Sequence, residues 1–149
     1  MDPMREFLNS VYEAKIEISR CESKAASLYE AATSVTSRAD AEHVSGTAET
    51  GQLLAAYADA AREMTQRKLR YLTRMQSVSD FIDMVPGGPK GLWRIVLRLR
   101  YVDCLSWKRI ADSIPKNEDE ETYTERHIIR LHGEALNAAR RIWKGQISI

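Results

Sequence analysis

The chain has 149 residues, 44% of them hydrophobic and 29% charged, with a formal net charge of +1. That is the size and composition of one folded domain, or of a small domain with an appendage, and it excludes a disordered chain. No apolar run approaches the roughly 18 residues of a membrane span, and the start, Met1-Asp2-Pro3-Met4-Arg5-Glu6, lacks the basic and apolar regions of a secretory signal. Cys21 and Cys104 stand 83 positions apart and form no metal or redox motif. The reading is a cytoplasmic protein with no membrane partner. Charge is uneven: residues 1–85 hold 10 Lys and Arg against 13 Asp and Glu, and residues 86–149 hold 12 against 8. A basic C-terminal part suits a polyanionic partner.

Asp2-Pro3 gives an acidic N-cap followed by proline at the first helical position, so a helix is expected to start there. Phe7, Val11, Ala14, Ile18, Cys21, Ala25, Leu28, Ala32 and Val35 then recur at alternating spacings of four and three, the pattern of a coiled-coil seam. Between Ser37 and Gly51 the pattern fails and polar residues accumulate, which predicts a loop. A second helix is expected from about Thr50 to Val85, with a seam through Leu54, Tyr57, Ala61, Met64, Lys68, Tyr71, Met75, Val78, Ile82 and Val85. Lys68 is its one discordant member. Two such helices joined by a loop fold back on one another as an antiparallel hairpin or stand as members of an ordinary bundle; the hairpin is the simpler expectation.

Pro86-Gly87-Gly88-Pro89 ends the second helix and marks an expected domain boundary. Lys90 to Tyr101 follows as a helix, and Ser106 caps another containing Trp107, Ile110, Ala111 and Ile114. A polar, acidic loop from Pro115 to Glu121 leads to Thr122-Tyr123-Thr124-Glu125, read as a capping box. The last helix is expected to bury Ile128, Leu131, Ala135, Ala138 or Ala139, and Ile142. The fold class predicted is all-α: an N-terminal antiparallel helical hairpin (coiled coil) over residues 1–85, then a C-terminal tri-helical helix-turn-helix domain over residues 90–149, foldable without the hairpin.

A rotation of 100° per residue puts Arg126, Arg130, Gly133 and Asn137 on the side of the last helix opposite Ile128 and Leu131. Arginine can donate two hydrogen bonds to guanine, and asparagine can pair in two-point fashion with adenine. Helix, turn, then a basic helix is also the order of a tri-helical DNA reader.

Three segments carry a family resemblance: Val96-Leu97-Arg98-Leu99-Arg100-Tyr101, Ser106-Trp107-Lys108-Arg109-Ile110-Ala111, and Thr124 through Leu136. They resemble region 4 of sigma-70-type factors, and in particular phage and prophage transcriptional regulators of the autolysin-regulator and late-gene-activator type. The likeness spans roughly residues 90–143. It implies promoter recognition, with Glu125, Arg126, His127, Ile129 and Arg130 at the bases and Arg98, Arg100, Lys108 and Arg109 at phosphates. With Thr124 at the helix start and Asn137 from the outward face, these make the candidate DNA-binding set. The turn from Pro115 to Tyr123 is longer and more acidic than the sigma turn, and other sigma regions are missing, so an accessory regulator is expected rather than a complete sigma factor.

The partners expected are double-stranded DNA, with bacterial RNA polymerase and a second copy of the chain, paired through the N-terminal helices, as further candidates. His127 and His132 are five apart, which is not metal-pair spacing, and no Ser/His/Asp set, phosphate loop or dinucleotide motif occurs. No enzyme, metal or cofactor is expected. Trp93, Trp107 and Trp143, one per C-terminal helix, are read as a shared core. Two other classes compete with the regulator: a small subunit of a phage DNA-packaging terminase, which usually has its DNA-binding part first, and a coiled-coil protein–protein adaptor.

Overall fold

The structure, a computed structural model, describes residues 2–39, 46–116 and 121–145. It is all-helical, with five α-helices and no strand among the described residues: α1 (Pro3–Ala39), α2 (Gly46–Met84), α3 (Leu92–Leu97), α4 (Trp107–Ser113) and α5 (Glu125–Ile142). By internal contacts the chain divides into two compact units, one of Met1–Glu13 with Leu72–Ile149 and one of Ala14–Tyr71. The sequence put a boundary at Pro86–Pro89. The contacts assign the start of α1 and the end of α2 to the same compact unit as α3, α4 and α5.

Within residues 14–71 the expected seam of α1 is found: Ala14, Ala25 and Ala32 are buried, and Ile18, Cys21 and Leu28 are half-buried. The side chain of Val35 lies outside the described residues. Contacts to α2 run Glu17 with Arg67, Glu22 with Lys68, Lys24 with Glu63, and Tyr29 with Tyr57. From Glu17–Arg67 through Lys24–Glu63 to Tyr29–Tyr57 the α1 number climbs while the α2 number falls, so these two stretches run in opposite directions. The seam of α2 is corrected at three members, one of them Ala61, which is half-buried while Ala60 beside it is fully buried. Leu54 is 51% exposed, and Leu53 is half-buried in its place. Lys68 is exposed and Arg67 takes the inward position, its guanidinium 2.7 Å from Glu17 and 3.5 Å from Glu63. The discordance disappears because a seam through 53, 57, 60, 64, 67 and 71 keeps the three-four spacing, and a long arginine stem can line it while its charge reaches water.

The larger unit is built differently. Asp2 caps α1 as expected, its carboxylate accepting from the Met4 amide at 3.1 Å and its carbonyl from Glu6 at 3.0 Å. That carboxylate also pairs with Arg140 of α5, which holds the Asp2 carboxyl below its usual range. Met4, Phe7, Leu8 and Val11 of α1 are buried, as are Val78, Phe81 and Ile82 of α2 and Val85 just beyond it. Trp143 closes on this group, 5.3 Å from the Phe7 ring and 5.5 Å from Phe81, while Phe7 and Phe81 meet edge to face at 5.8 Å. The three tryptophans therefore do not share one core. Trp93 and Trp107 pack instead against Leu92, Val96, Ile110, Ala111, Ile114, Ile128 and Leu131.

The Pro-Gly segment turns the chain tightly. Gly88 has φ 68°, and a Cβ there would lie 2.3 Å from the Trp93 ring, so neither the backbone nor the space admits another residue. α3 is shorter than expected because it runs into a π-helical turn, Arg98–Val102, closed by the Asp103 amide donating to the Arg98 carbonyl at 3.1 Å. Cys104 then adopts φ 57°, and the Leu105 amide reaches back to the Leu99 carbonyl at 3.0 Å, which stops the helix and leads to Ser106.

Candidate nucleic-acid interface

α4 and α5 start on side-chain caps. Ser106 Oγ accepts from the Arg109 amide at 3.3 Å and Thr124 Oγ1 from the His127 amide at 3.2 Å. The capping box expected at Thr122–Glu125 is corrected: Thr124 is the N-cap and Glu125 the first helical residue, so the position three beyond the cap is His127, not an acid. Of the acidic loop, residues 117–120 lie outside the described residues; the chain around it is held by a Lys116 amide donating to the Glu121 carbonyl at 2.6 Å.

α5 is sharply two-sided. Ile128, Leu131, Ala135 and both Ala138 and Ala139 are buried, joined by His132 and Leu136, whereas Ile142, also expected inside, is half-buried. Glu125, Arg126, Ile129, Arg130, Gly133, Glu134, Asn137, Arg140 and Arg141 are exposed. Among the described residues nothing within the chain pairs with Arg126. Arg130 donates to His127 Nδ1 at 3.1 Å, and the His127 ring stacks at 5.0 Å and 12° on Tyr123. Glu134 accepts from Trp93 Nε1 at 3.1 Å, so it is tied to α3. A Cβ on Gly133 would meet nothing within 4 Å. Glycine costs a helix interior about 1 kcal/mol relative to alanine, and nothing in the chain's own packing asks for it here.

The candidate phosphate contacts fall into two pairs. Lys108 and Arg109 are exposed on α4, with no ion pair among the described residues. Arg98 and Arg100 are half-buried and engaged inside the unit. Arg98 donates to Ser79 at 3.1 Å and pairs with Asp83, whereas Arg100 donates to the Leu105 carbonyl at 3.0 Å and lies 4.1 Å over the Trp107 ring. Their spacing in sequence suits a basic surface; their geometry is that of two guanidinium clasps.

His132, read from the sequence only as a failed metal ligand, is a buried polar group. It is 6% exposed, its Nε2 lies 2.6 Å from the Tyr101 hydroxyl, and the Trp107 ring stands edge-on at 4.7 Å. Burial, and then the positive fields of Arg5 and Arg100, push the imidazole down to about 4, while burial pushes the Tyr101 phenol up. Both groups are therefore neutral near pH 7, and the phenol can donate to the imidazole. The sequence offered one signal for this: His132 follows Leu131 and precedes Ala135 on the apolar side of α5.

Among the described residues no cluster of His, Cys, Asp and Glu could hold a metal ion, and no helix is long and apolar enough to cross a membrane. No family model, curated protein or solved structure matches the chain.

Proposed function

We propose that this chain is a sequence-specific double-stranded DNA-binding transcription regulator, of the phage-encoded kind that resembles sigma region 4. In this reading residues 1–85 make a helical hairpin, α3, α4 and α5 make a helix-turn-helix domain, and α5 enters the major groove. The observation that carries it is the outward face of α5, where Arg126, Arg130 and Asn137 stand exposed on a helix whose opposite face is anchored in the core. Such a face supplies two-point donors on a rigid support, which is what base reading requires. Lys108 and Arg109 on the capped helix α4 are the phosphate contacts of this reading. Arg98 and Arg100, clasped within the unit, act as supports.

Selection from a random-sequence duplex library, followed by anisotropy titrations on the selected site, tests it. Arg130→Ala is expected to weaken that site by about 1–3 kcal/mol and to relax one base pair. Lys108→Ala should weaken all duplexes alike. Arg98→Ala should lower stability with little change in affinity per folded molecule. Affinity for the parent should fall steeply between about 50 and 200 mM salt as counterions are released. A flat salt response, or an Arg126→Ala/Arg130→Ala double variant that binds as the parent does, would remove α5 as the reader.

A further inference from the structure

Two residues on the exposed face of α5 are poor choices for an idle helix surface. Ile129 is 46% exposed, and Gly133 follows it by one turn with open space where a Cβ would be. Residues four apart on a helix are neighbours, so the Ile129 side chain stands beside bare backbone. Glycine and a β-branched residue both disfavour the helix relative to alanine, lysine or glutamate. Packing within the chain does not account for either. Their surroundings narrow what does: Arg126 and Arg130 flank them, with Glu125 one turn before Ile129 and Arg141 further along the exposed face, where Arg140 is taken up by Asp2.

We propose that Ile129 and Gly133 form a methyl-sized apolar notch that reads the 5-methyl group of a thymine. This rests on the DNA-binding reading above and adds which base is recognised and by what contact. The flanking arginines select a polyanion, yet an apolar side chain between them gains nothing from phosphate. The one apolar group that the major-groove edge of a base pair offers is the thymine methyl, which lies among hydrogen-bonding groups that arginine can serve. The glycine lets the helix backbone come close enough for Ile129 to reach it. The same notch discriminates against RNA, whose uracil lacks the methyl and whose A-form major groove is too deep and narrow for side chains to read.

The full chain and the duplex selected above make the test, with each thymine of the site replaced in turn by uracil. For the parent, one replacement is expected to raise Kd roughly fourfold, the equivalent of one buried methylene. Ile129→Ala should bind the thymine and uracil duplexes equally. Gly133→Ala should raise Tm by roughly 2–4 °C while weakening the selected site about tenfold, a combination that damage to the fold cannot produce. If the parent is indifferent to every uracil, if Ile129→Ala keeps the sensitivity, or if Gly133→Ala binds as tightly as the parent, the notch is overturned and the DNA-binding reading stands. If no duplex is bound at all, both fall.

Discussion

The two units share a sequence period and differ in what they bury. Among the described residues of 14–71 the buried hydrophobic ones are four alanines, Ala14, Ala25, Ala32 and Ala60, bordered by half-buried side chains and ion pairs. Among the described residues the large side chains that are fully buried, such as Phe81, Met4, Leu8, Ile82, Leu97, Ile110 and Ile128, all belong to the unit of residues 1–13 and 72–149. A helix facing one partner needs only a narrow stripe every three or four residues. A helix end packed against several neighbours needs a wider one. Apolar burial stabilises by about 25 cal/mol per Å², so the large buried side chains of the larger unit contribute more hydrophobic stabilisation than the buried alanines of the smaller one.

The largest effect should come from emptying the larger core. Phe81 is 2% exposed and touches Phe7 and Trp143 edge to face, so Phe81→Ala should cost about 3–5 kcal/mol. Urea unfolding followed by tryptophan fluorescence measures it, because Trp93, Trp107 and Trp143 all lie in this unit. A loss under about 1 kcal/mol would mean that the ring is not part of a close-packed core.

Next comes acid sensitivity, which His132 should confer on the same unit. Its imidazole is depressed from 6.5 to about 4 in the folded state. Between those values the unfolded chain takes up a proton that the folded chain refuses. The stabilising contribution is therefore complete above pH 6.5 and is lost as pH falls towards 4, by a total on the order of 3 kcal/mol. His132→Gln retains an acceptor for the Tyr101 hydroxyl and does not titrate, so its stability profile across this window should be flatter than the parent's. Identical slopes would show that His132 is not the group responsible.

Part of this contrast was legible before the structure. In α1 the stripe holds the large residues Met4, Phe7, Leu8 and Val11 at one end and buries only alanines, among the described residues, from Ala14 onwards. In α2 the large buried residues are Val78, Phe81 and Ile82, with Val85 just beyond it, although Leu53-Leu54-Ala55-Ala56-Tyr57 makes the sequence before Tyr71 just as apolar. A heptad reading records the period and overlooks the width, and the width of what is buried follows the division that the contacts make. The proline-glycine stop was conspicuous but ends a helix without ending a packed unit, as Trp143 against Phe7 and Phe81 shows. At the candidate interface the two faces of α5 and the caps at Ser106 and Thr124 were readable, since periodicity and N-cap chemistry are local. The clasps of Arg98 and Arg100 were not. Their partners Ser79, Asp83 and the Trp107 ring are distant in sequence or on another element, and an arginine's composition does not reveal whether it faces solvent or a neighbour.

The smallest effect belongs to residues 14–71 and bears most directly on how that unit is held. Arg67 occupies the seam position that the apolar pattern assigned to a neighbour, and its guanidinium joins Glu17 and Glu63, which raises its already high pKa. Two contributions are combined in that side chain: the stem covers the seam, and the head makes exposed ion pairs, which usually contribute little. Arg67→Met keeps a stem of similar length and removes the charge, whereas Arg67→Ala removes both. Helix melting followed by circular dichroism should place Met near the parent and Ala clearly below it. The gap between parent and Met should close at about 1 M salt, where the screening length is only ~3 Å. If Met melts as low as Ala and salt restores both, the ion pairs rather than the seam hold this unit together. The contrast between the two units would then be one of charge against burial rather than of a narrow stripe against a wide one.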